Sequence, residues 1–240
     1  QETWSEGRKS NAVDVYTSFL RMLGLKWDPP TYKRIKKLPF IPTESELDQL
    51  IAGCGRKTAT FLQTMKETGA RCGEVWGLKW TDIDFENSIV TITPEKGSEP
   101  RQFKVSGKLI AMLNALPRED VRIWKAKLRT ISRTFQYTRA RIAEVTKNPR
   151  LKLITFHTFR HWKATMEYHK TKDILHVMQM LGHKNINNTL KYTQLIKTED
   201  DEFVSKVAKT VEEACALVEG GYEYVTEFRD EGIKIFRKRK

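Results

Sequence analysis

Cysteine is scarce: Cys54, Cys72 and Cys215 are the three among 240 residues, scattered, odd in number and without a C-x-x-C pair. That pattern excludes a disulfide framework and a cysteine-built zinc site, and it fits a reducing cytoplasm. No uninterrupted apolar stretch approaches membrane-spanning length, and no signal-peptide pattern opens the chain, so no membrane partner is expected. Internal repeats are also missing. Acid is in deficit, with 30 Asp and Glu against 43 Lys and Arg, a formal net charge of +13. The excess favours a polyanionic partner through counterion release and steering. On charge alone, a basic surface that binds nothing fits as well. Gln1 rather than Met opens the chain, and further N-terminal sequence is expected before it.

What is present begins with 39% hydrophobic side chains, enough for a core of one full domain plus a smaller appendage. Val13, Val15, Tyr16, Phe19, Leu20 and Leu23 recur at helical spacing over 13–25, with Asn11 as the expected cap and Gly24 and Pro29-Pro30 as the stop. The basic, proline-bounded segment 31–40 reads as a linker. Thr43-Glu44-Ser45-Glu46 before Leu47, Leu50 and Ile51 is a capping-box pattern, which sets a domain boundary near residue 40.

Helices are expected over 44–53, 56–68, 107–116, 128–146, 157–168, 172–181 and 186–195, with a helical continuation over 75–78. The β-branched run Ile89 to Thr93 and the segment Gln102 to Val105 read as paired strands joined by a Gly- and Pro-containing loop that presents Lys96. Apolar positions from Phe203 to Val218 predict one amphipathic helix over 199–219, and Tyr222–Phe228 with Ile233–Phe236 a terminal hairpin. The fold class is therefore mainly α with a small antiparallel β-sheet.

The densest chemistry lies in His157-Thr158-Phe159-Arg160-His161 and in the run Met180 to Tyr192, which contains Leu181-Gly182-His183-Lys184-Asn185. Together they supply imidazoles, a guanidinium and a phenol. A phenol oxygen can attack phosphorus and stay attached, an arginine can neutralise non-bridging oxygens, and histidines can handle protons around the same phosphate. This chemistry needs no metal. Arg160 three residues after His157 shares its helical face. His157 and His161 have the i, i+4 spacing of a zinc-binding H-E-x-x-H helix, but Thr158 stands where the Glu belongs and Arg160 would repel a cation. Upstream, Arg71 precedes Gly73, which would let the backbone turn the guanidinium inward, and Glu74 is its partner at i+3.

These motifs resemble the tyrosine recombinase (integrase) family. HTFRH, then LGHKN, then a Tyr nine residues after the His, look like the second half of its active site, and Thr68-Gly69-Ala70-Arg71-Cys72-Gly73-Glu74 looks like its first arginine box. The wording of these segments and of the tail Phe236-Arg237-Lys238-Arg239-Lys240 is most similar to archaeal integrases. The resemblance implies a recombinase-like catalytic domain over 40–198, preceded at 1–39 by the end of a helical DNA-binding domain. Residues 199–240 would follow as a C-terminal helix and hairpin that docks either on a neighbouring subunit, as an assembly element, or on its own domain. It implies Tyr192 as nucleophile, Arg71 and Arg160 on the scissile phosphate, and His157 and His183 assisting. Lys96 would be the proton donor to the leaving oxygen, with Lys104 or Lys108 as the fallback, and Glu74 and His161 would support from behind. It also implies double-stranded DNA as partner, a homotetramer on paired sites, a nucleoid location, and neither metal nor ATP nor any other cofactor. Two rivals stand beside a site-specific recombinase working through a 3′-phosphotyrosyl intermediate: a type IB topoisomerase with the same chemistry, and a DNA-binding protein that occupies a site without cutting it.

Overall fold

The computed structural model describes residues 4–33, 38–95, 97–195, 203–228 and 232–239. Two compact units divide the chain, Gln1–Leu195 and Ile196–Lys240.

The first unit is built on α3 (Arg56–Thr68), which is buried almost all round. Phe61 and Leu62 are fully enclosed, and Phe61 meets Trp124 edge-on at 5.2 Å between centroids. Three threonines share that interior because each returns its hydroxyl to the carbonyl one turn back: Thr60 to Arg56, Thr64 to Thr60 and Thr68 to Thr64, at 2.9, 2.8 and 2.7 Å. The helix stops at Gly69, whose left-handed φ of +62° is one a side chain rarely adopts. α2 (Glu44–Ala52) enters against it through the expected capping box: the Glu46 carboxylate accepts from the Thr43 amide at 2.9 Å, and Thr43 Oγ1 from the Glu46 amide at 3.2 Å.

After the short α4 (Cys72–Trp76), strands β1 (Ile83–Asp84), β2 (Ile89–Ile92) and β3 (Arg101–Lys104) form an antiparallel sheet in the order β1-β2-β3. Val90 and Ile92 are buried while Ile89 and Thr91 are half-buried, the period-2 pattern of a one-faced sheet. The register sets Val90 opposite Phe103 and Ile92 opposite Arg101. Helices α5 (Gly107–Asn114), α6 (Leu128–Val145), α7 (Phe156–Thr171), α8 (Ile174–Leu181) and α9 (Asn187–Leu190) complete the unit, with α7 packed on α3. Among the described residues no helix is long and apolar enough to cross a membrane.

Three expectations needed correction. Helix α1 spans Glu6–Met22 and is capped by Ser5 rather than Asn11, because its polar first turns are themselves helical and held by a Lys9–Glu6 pair at 2.9 Å. The expected helix 186–195 divides into α9 and a 3₁₀ turn over Lys191–Gln194. The single helix expected over 199–219 is also not formed. In the second unit, Phe203–Ala208 is strand β4 and the helix, α10, runs only over Val211–Glu219. The apolar pairs of Phe-Val-Ser-Lys-Val-Ala follow helical spacing, but the segment is drawn into a strand by its pairing with β6, and Thr210 restarts the chain by capping α10 at the Glu213 amide. β5 (Glu223–Phe228) and β6 (Ile233–Arg239) form the expected terminal hairpin, in a sheet of order β4-β6-β5.

Candidate active site

Arg71 caps α4 with an extended backbone, and its segment is fastened by one carboxylate. Glu74, its side chain fully buried, accepts from the Arg71 amide at 2.8 Å and from Arg71 Nη1 at 3.0 Å. Ser98 Oγ donates to the same carboxylate at 3.0 Å and Arg101 Nη2 at 2.6 Å. Burial raises the Glu74 pKa, but the Arg71 amide, the Arg101 charge and Ser98 outweigh it, so the carboxyl sits below its ordinary range. Gly73 matters for a reason other than the expected turn. It lies in the helix without a positive φ, and a Cβ there would collide with the Glu95 carboxylate.

The hairpin is thus tied to the arginine box on both sides of Lys96, by Glu95 resting on Gly73 and by Ser98 on Glu74. Lys96 itself lies outside the described residues. The fallback residues Lys104 and Lys108 are exposed on β3 and α5.

Arg101, which sequence reasoning missed, joins three motifs. Besides Glu74, it donates through Nη1 to the Leu181 carbonyl at 3.1 Å and the Glu99 carbonyl at 3.2 Å. Arg160, 2% exposed, donates through Nη2 to the same Leu181 carbonyl at 2.7 Å and through Nη1 to the Gly69 carbonyl at 2.8 Å. Two buried guanidinium groups therefore meet at one backbone oxygen. Gly182 follows it in a left-handed turn, φ +65°, where a Cβ would strike Arg101 Nη1. The glycine of the LGH run is required by that close approach as well as by its backbone. The signal for Arg101 was its register: opposite buried Ile92, a strand that follows alternation would place an apolar side chain.

The phenol of Tyr192 is 1% exposed, in a small cluster with Ala164, Val177 and Leu181. Its ring is a core aromatic, while its hydroxyl meets His161 Nδ1 at 3.0 Å. His161 thus touches the phenol directly. Burial, the Lys191 charge and neighbouring His157 and Arg160 push the His161 pKa down to about 3, so the ring is neutral at neutral pH, and its tautomer sets which partner donates in the contact with the phenol. Burial drives the Tyr192 pKa up to about 12 against the opposing pull of Arg160 and Arg71.

His157 is exposed and lies edge-on to His161 at 4.5 Å between centroids. Partial desolvation and the charges of Lys191, Arg160 and Arg71 lower its pKa. His183 follows the turn at Gly182 and engages Thr189 Oγ1 through Nδ1 at 2.9 Å. Its pKa falls to about 4 through burial and the Arg160 and Arg71 charges. Arg160 is itself depressed to about 10 by burial and by Arg71, and so remains a cation at neutral pH. The structure brings together Arg71 with Glu74, Arg160 with the LGH turn, and His157 and His161 with Tyr192. Cationic donors and a phenol hydrogen-bonded to an imidazole are groups that can receive an oxyanion and supply an attacking oxygen.

Comparison with known proteins assigns the chain to a family. The chain belongs to the phage integrase family, whose profile matches residues 42–199. It is 28% identical over 166 residues to a probable integrase/recombinase of Methanocaldococcus jannaschii, covering 64% of this chain and 50% of that one. It is 24% identical to the tyrosine recombinase XerA of Saccharolobus solfataricus, over 74% of this chain and 60% of the relative. The chain thus spans about half to three fifths of the length of these curated relatives. The fold is similar to a crystal structure of XerA recombinase, with a TM-score of 0.57 and 22% identity over 82% of this chain and 74% of that one. It is also similar to XerH site-specific recombinase bound to its difH substrate before cleavage, with a TM-score of 0.60 and 19% identity over 83% of this chain and 65% of that one.

Proposed function

We propose that the chain is the catalytic portion of a site-specific DNA recombinase that cuts and rejoins strands through a covalent 3′-phosphotyrosine at Tyr192. The observation that carries this reading is the Tyr192 hydroxyl resting on His161 beside Arg160, with Arg160 joined to the Arg71 box through the Leu181 carbonyl, Arg101 and Glu74.

In the proposed step the Tyr192 oxygen forms a bond to phosphorus and loses its proton to water, with the neutral His161 ring orienting the hydroxyl. The bond from phosphorus to the 5′-oxygen breaks, and that oxygen takes a proton from Lys96 on the hairpin. Arg71 and Arg160 stabilise the charge on the non-bridging oxygens, and His157 and His183 donate to the same group. Arg160 has spent two of its five N–H groups on carbonyls and keeps three for phosphate. Attack by a partner strand's 5′-hydroxyl on the phosphotyrosine reverses the step, so the bond energy is conserved and no ATP is consumed.

Double-stranded DNA is the partner this reading requires, and the charge distribution supports it. Residues 196–240 carry nine Lys and Arg against eleven Asp and Glu, whereas residues 1–195 carry 34 against 19. The basic excess therefore lies in the unit that holds the site, where phosphates would be neutralised. Residues 1–39 would serve as the end of a DNA-holding helical domain, and four subunits on paired sites would be the assembly.

The test is covalent trapping. Incubation with a nicked suicide-duplex library in the presence of a chelator is expected to give a protein–DNA adduct on denaturing gels for the wild type and none for Tyr192→Phe. An adduct that survives in Tyr192→Phe would refute the assignment. Binding and relaxation of supercoiled plasmid by a monomer, without exchange between sites, would favour the topoisomerase.

A further inference from the structure

We propose that Lys191 is a further catalytic residue of this site, an ammonium that neutralises a non-bridging oxygen of the scissile phosphodiester. This inference rests on the reading of Tyr192 as the nucleophile. It stands on where Lys191 is and on what it lacks.

Lys191 opens the 3₁₀ turn that carries Tyr192, and its Nζ lies 5.0 Å from the Tyr192 ring centroid. It is half-buried, yet among the described residues it has no hydrogen-bond or carboxylate partner. Its neighbours carry the same sign. Arg160 lowers the Lys191 pKa together with burial, and the Lys191 charge in turn reaches His157, His161 and His183, lowering the pKa of each.

The other cations here are already engaged. Arg71 and Arg101 share the Glu74 carboxylate, Arg101 also donates to two carbonyls, and Arg160 donates to two carbonyls while keeping other N–H groups. Among the described residues no oxygen or nitrogen accepts from the three N–H donors of the Lys191 ammonium, which lies over the Tyr192 ring. An unpaired, partly desolvated cation among like charges is unfavourable until an anion arrives. The anion that this site would receive is the phosphate attacked by the adjacent phenol. As the Tyr192 oxygen bonds to phosphorus and the 5′-oxygen departs, charge accumulates on the non-bridging oxygens. A cation one residue from the nucleophile, with no carboxylate partner among the described residues to release, meets that charge without reorganisation.

The experiment uses the full chain with Lys191→Ala, Lys191→Met and Lys191→Arg on the suicide duplex, carrying either a normal scissile phosphate or a neutral methylphosphonate there. Lys191→Met keeps the aliphatic stem over Tyr192, so it separates loss of charge from loss of packing. On the normal phosphate, adduct formation is expected to slow about 100-fold in Lys191→Ala and Lys191→Met, with DNA affinity changed less than about threefold, and to recover largely in Lys191→Arg. On the methylphosphonate the difference from wild type is expected to shrink to within about fivefold, because the charge that Lys191 meets is gone. Equal rates for wild type and Lys191→Met on the normal phosphate would overturn the proposal. So would rescue of Lys191→Met by a 5′-bridging sulfur but not by methylphosphonate, which would make Lys191 the leaving-group acid instead. A wild type that forms no adduct would bring down the nucleophile assignment and the Lys191 role with it, an outcome distinct from an adduct that ignores Lys191.

Discussion

Glu74→Ala tests how the site is held together. The carboxylate is fully enclosed and accepts from Arg71 twice, from Ser98 and from Arg101, whose own side chain is 5% exposed. Removing it leaves Arg101 with the Leu181 and Glu99 carbonyls on Nη1 and nothing described for Nη2, a buried charge without its counterion. Breaking one partner of such a pair costs about 3–5 kcal/mol. Glu74→Gln keeps acceptor capacity and loses the charge, so it should cost about 1–3 kcal/mol. The pair Glu74→Leu with Arg101→Met, apolar and of similar volume, should be less destabilised than either Glu74→Ala or Arg101→Ala alone. Urea unfolding followed by tryptophan fluorescence reads all of these, and a double-mutant cycle between positions 74 and 101 should give a coupling of about 1–3 kcal/mol. If Glu74→Ala costs under about 1 kcal/mol, or the two single changes simply add, the carboxylate is not what joins the hairpin to the arginine box.

Further outcomes follow from the same geometry. Arg71→Ala and Arg160→Ala should each lower adduct formation by about 10²–10³-fold while leaving DNA affinity within severalfold, measured by trapping and by salt-titrated binding. Equal losses in both assays would contradict the assigned roles. Gly182→Ala should destabilise the first unit by about 1–3 kcal/mol in the same urea assay, because it forces both the left-handed turn and the Arg101 contact. For pH, Glu46 is pulled up by burial but held down to about 2 by Arg150, the Thr43 amide and Asn148. A depressed carboxylate stabilises the fold above its ordinary value of 4.5, and that contribution is lost as pH falls towards 2. Glu46→Gln should flatten stability against pH in that window. The depressed imidazoles of His161 and His183 lose stability over a higher window, as pH falls from 6.5 towards their values of about 3 and 4.

The helices that carry the site were legible where strong local signals agreed, as in the Thr43 capping box and the Gly69 stop that bound α2 and α3. What stayed hidden depends on contacts between distant segments. Arg101 reads locally as one more basic residue on a strand, and only the hairpin register and the approach of Leu181 turn it inward. The partner of His161 was hidden too, since one helix face cannot show that a tyrosine 31 residues away will place its hydroxyl there. Residues 203–208 failed for a different reason. Their apolar spacing suits a helix, and it is overridden by pairing with β6, sequence met only at the end of the chain. The role of Gly73 was likewise nonlocal, set by the Glu95 carboxylate rather than by its own backbone.

The most direct test of the account is to digest the trapped adduct with nuclease and protease and to sequence the nucleotide-bearing peptide by mass spectrometry. The account predicts one modified peptide, the one containing Tyr192, carrying a nucleotide through its 3′-phosphate. A nucleotide on any other side chain, or a link through a 5′-phosphate, would contradict it.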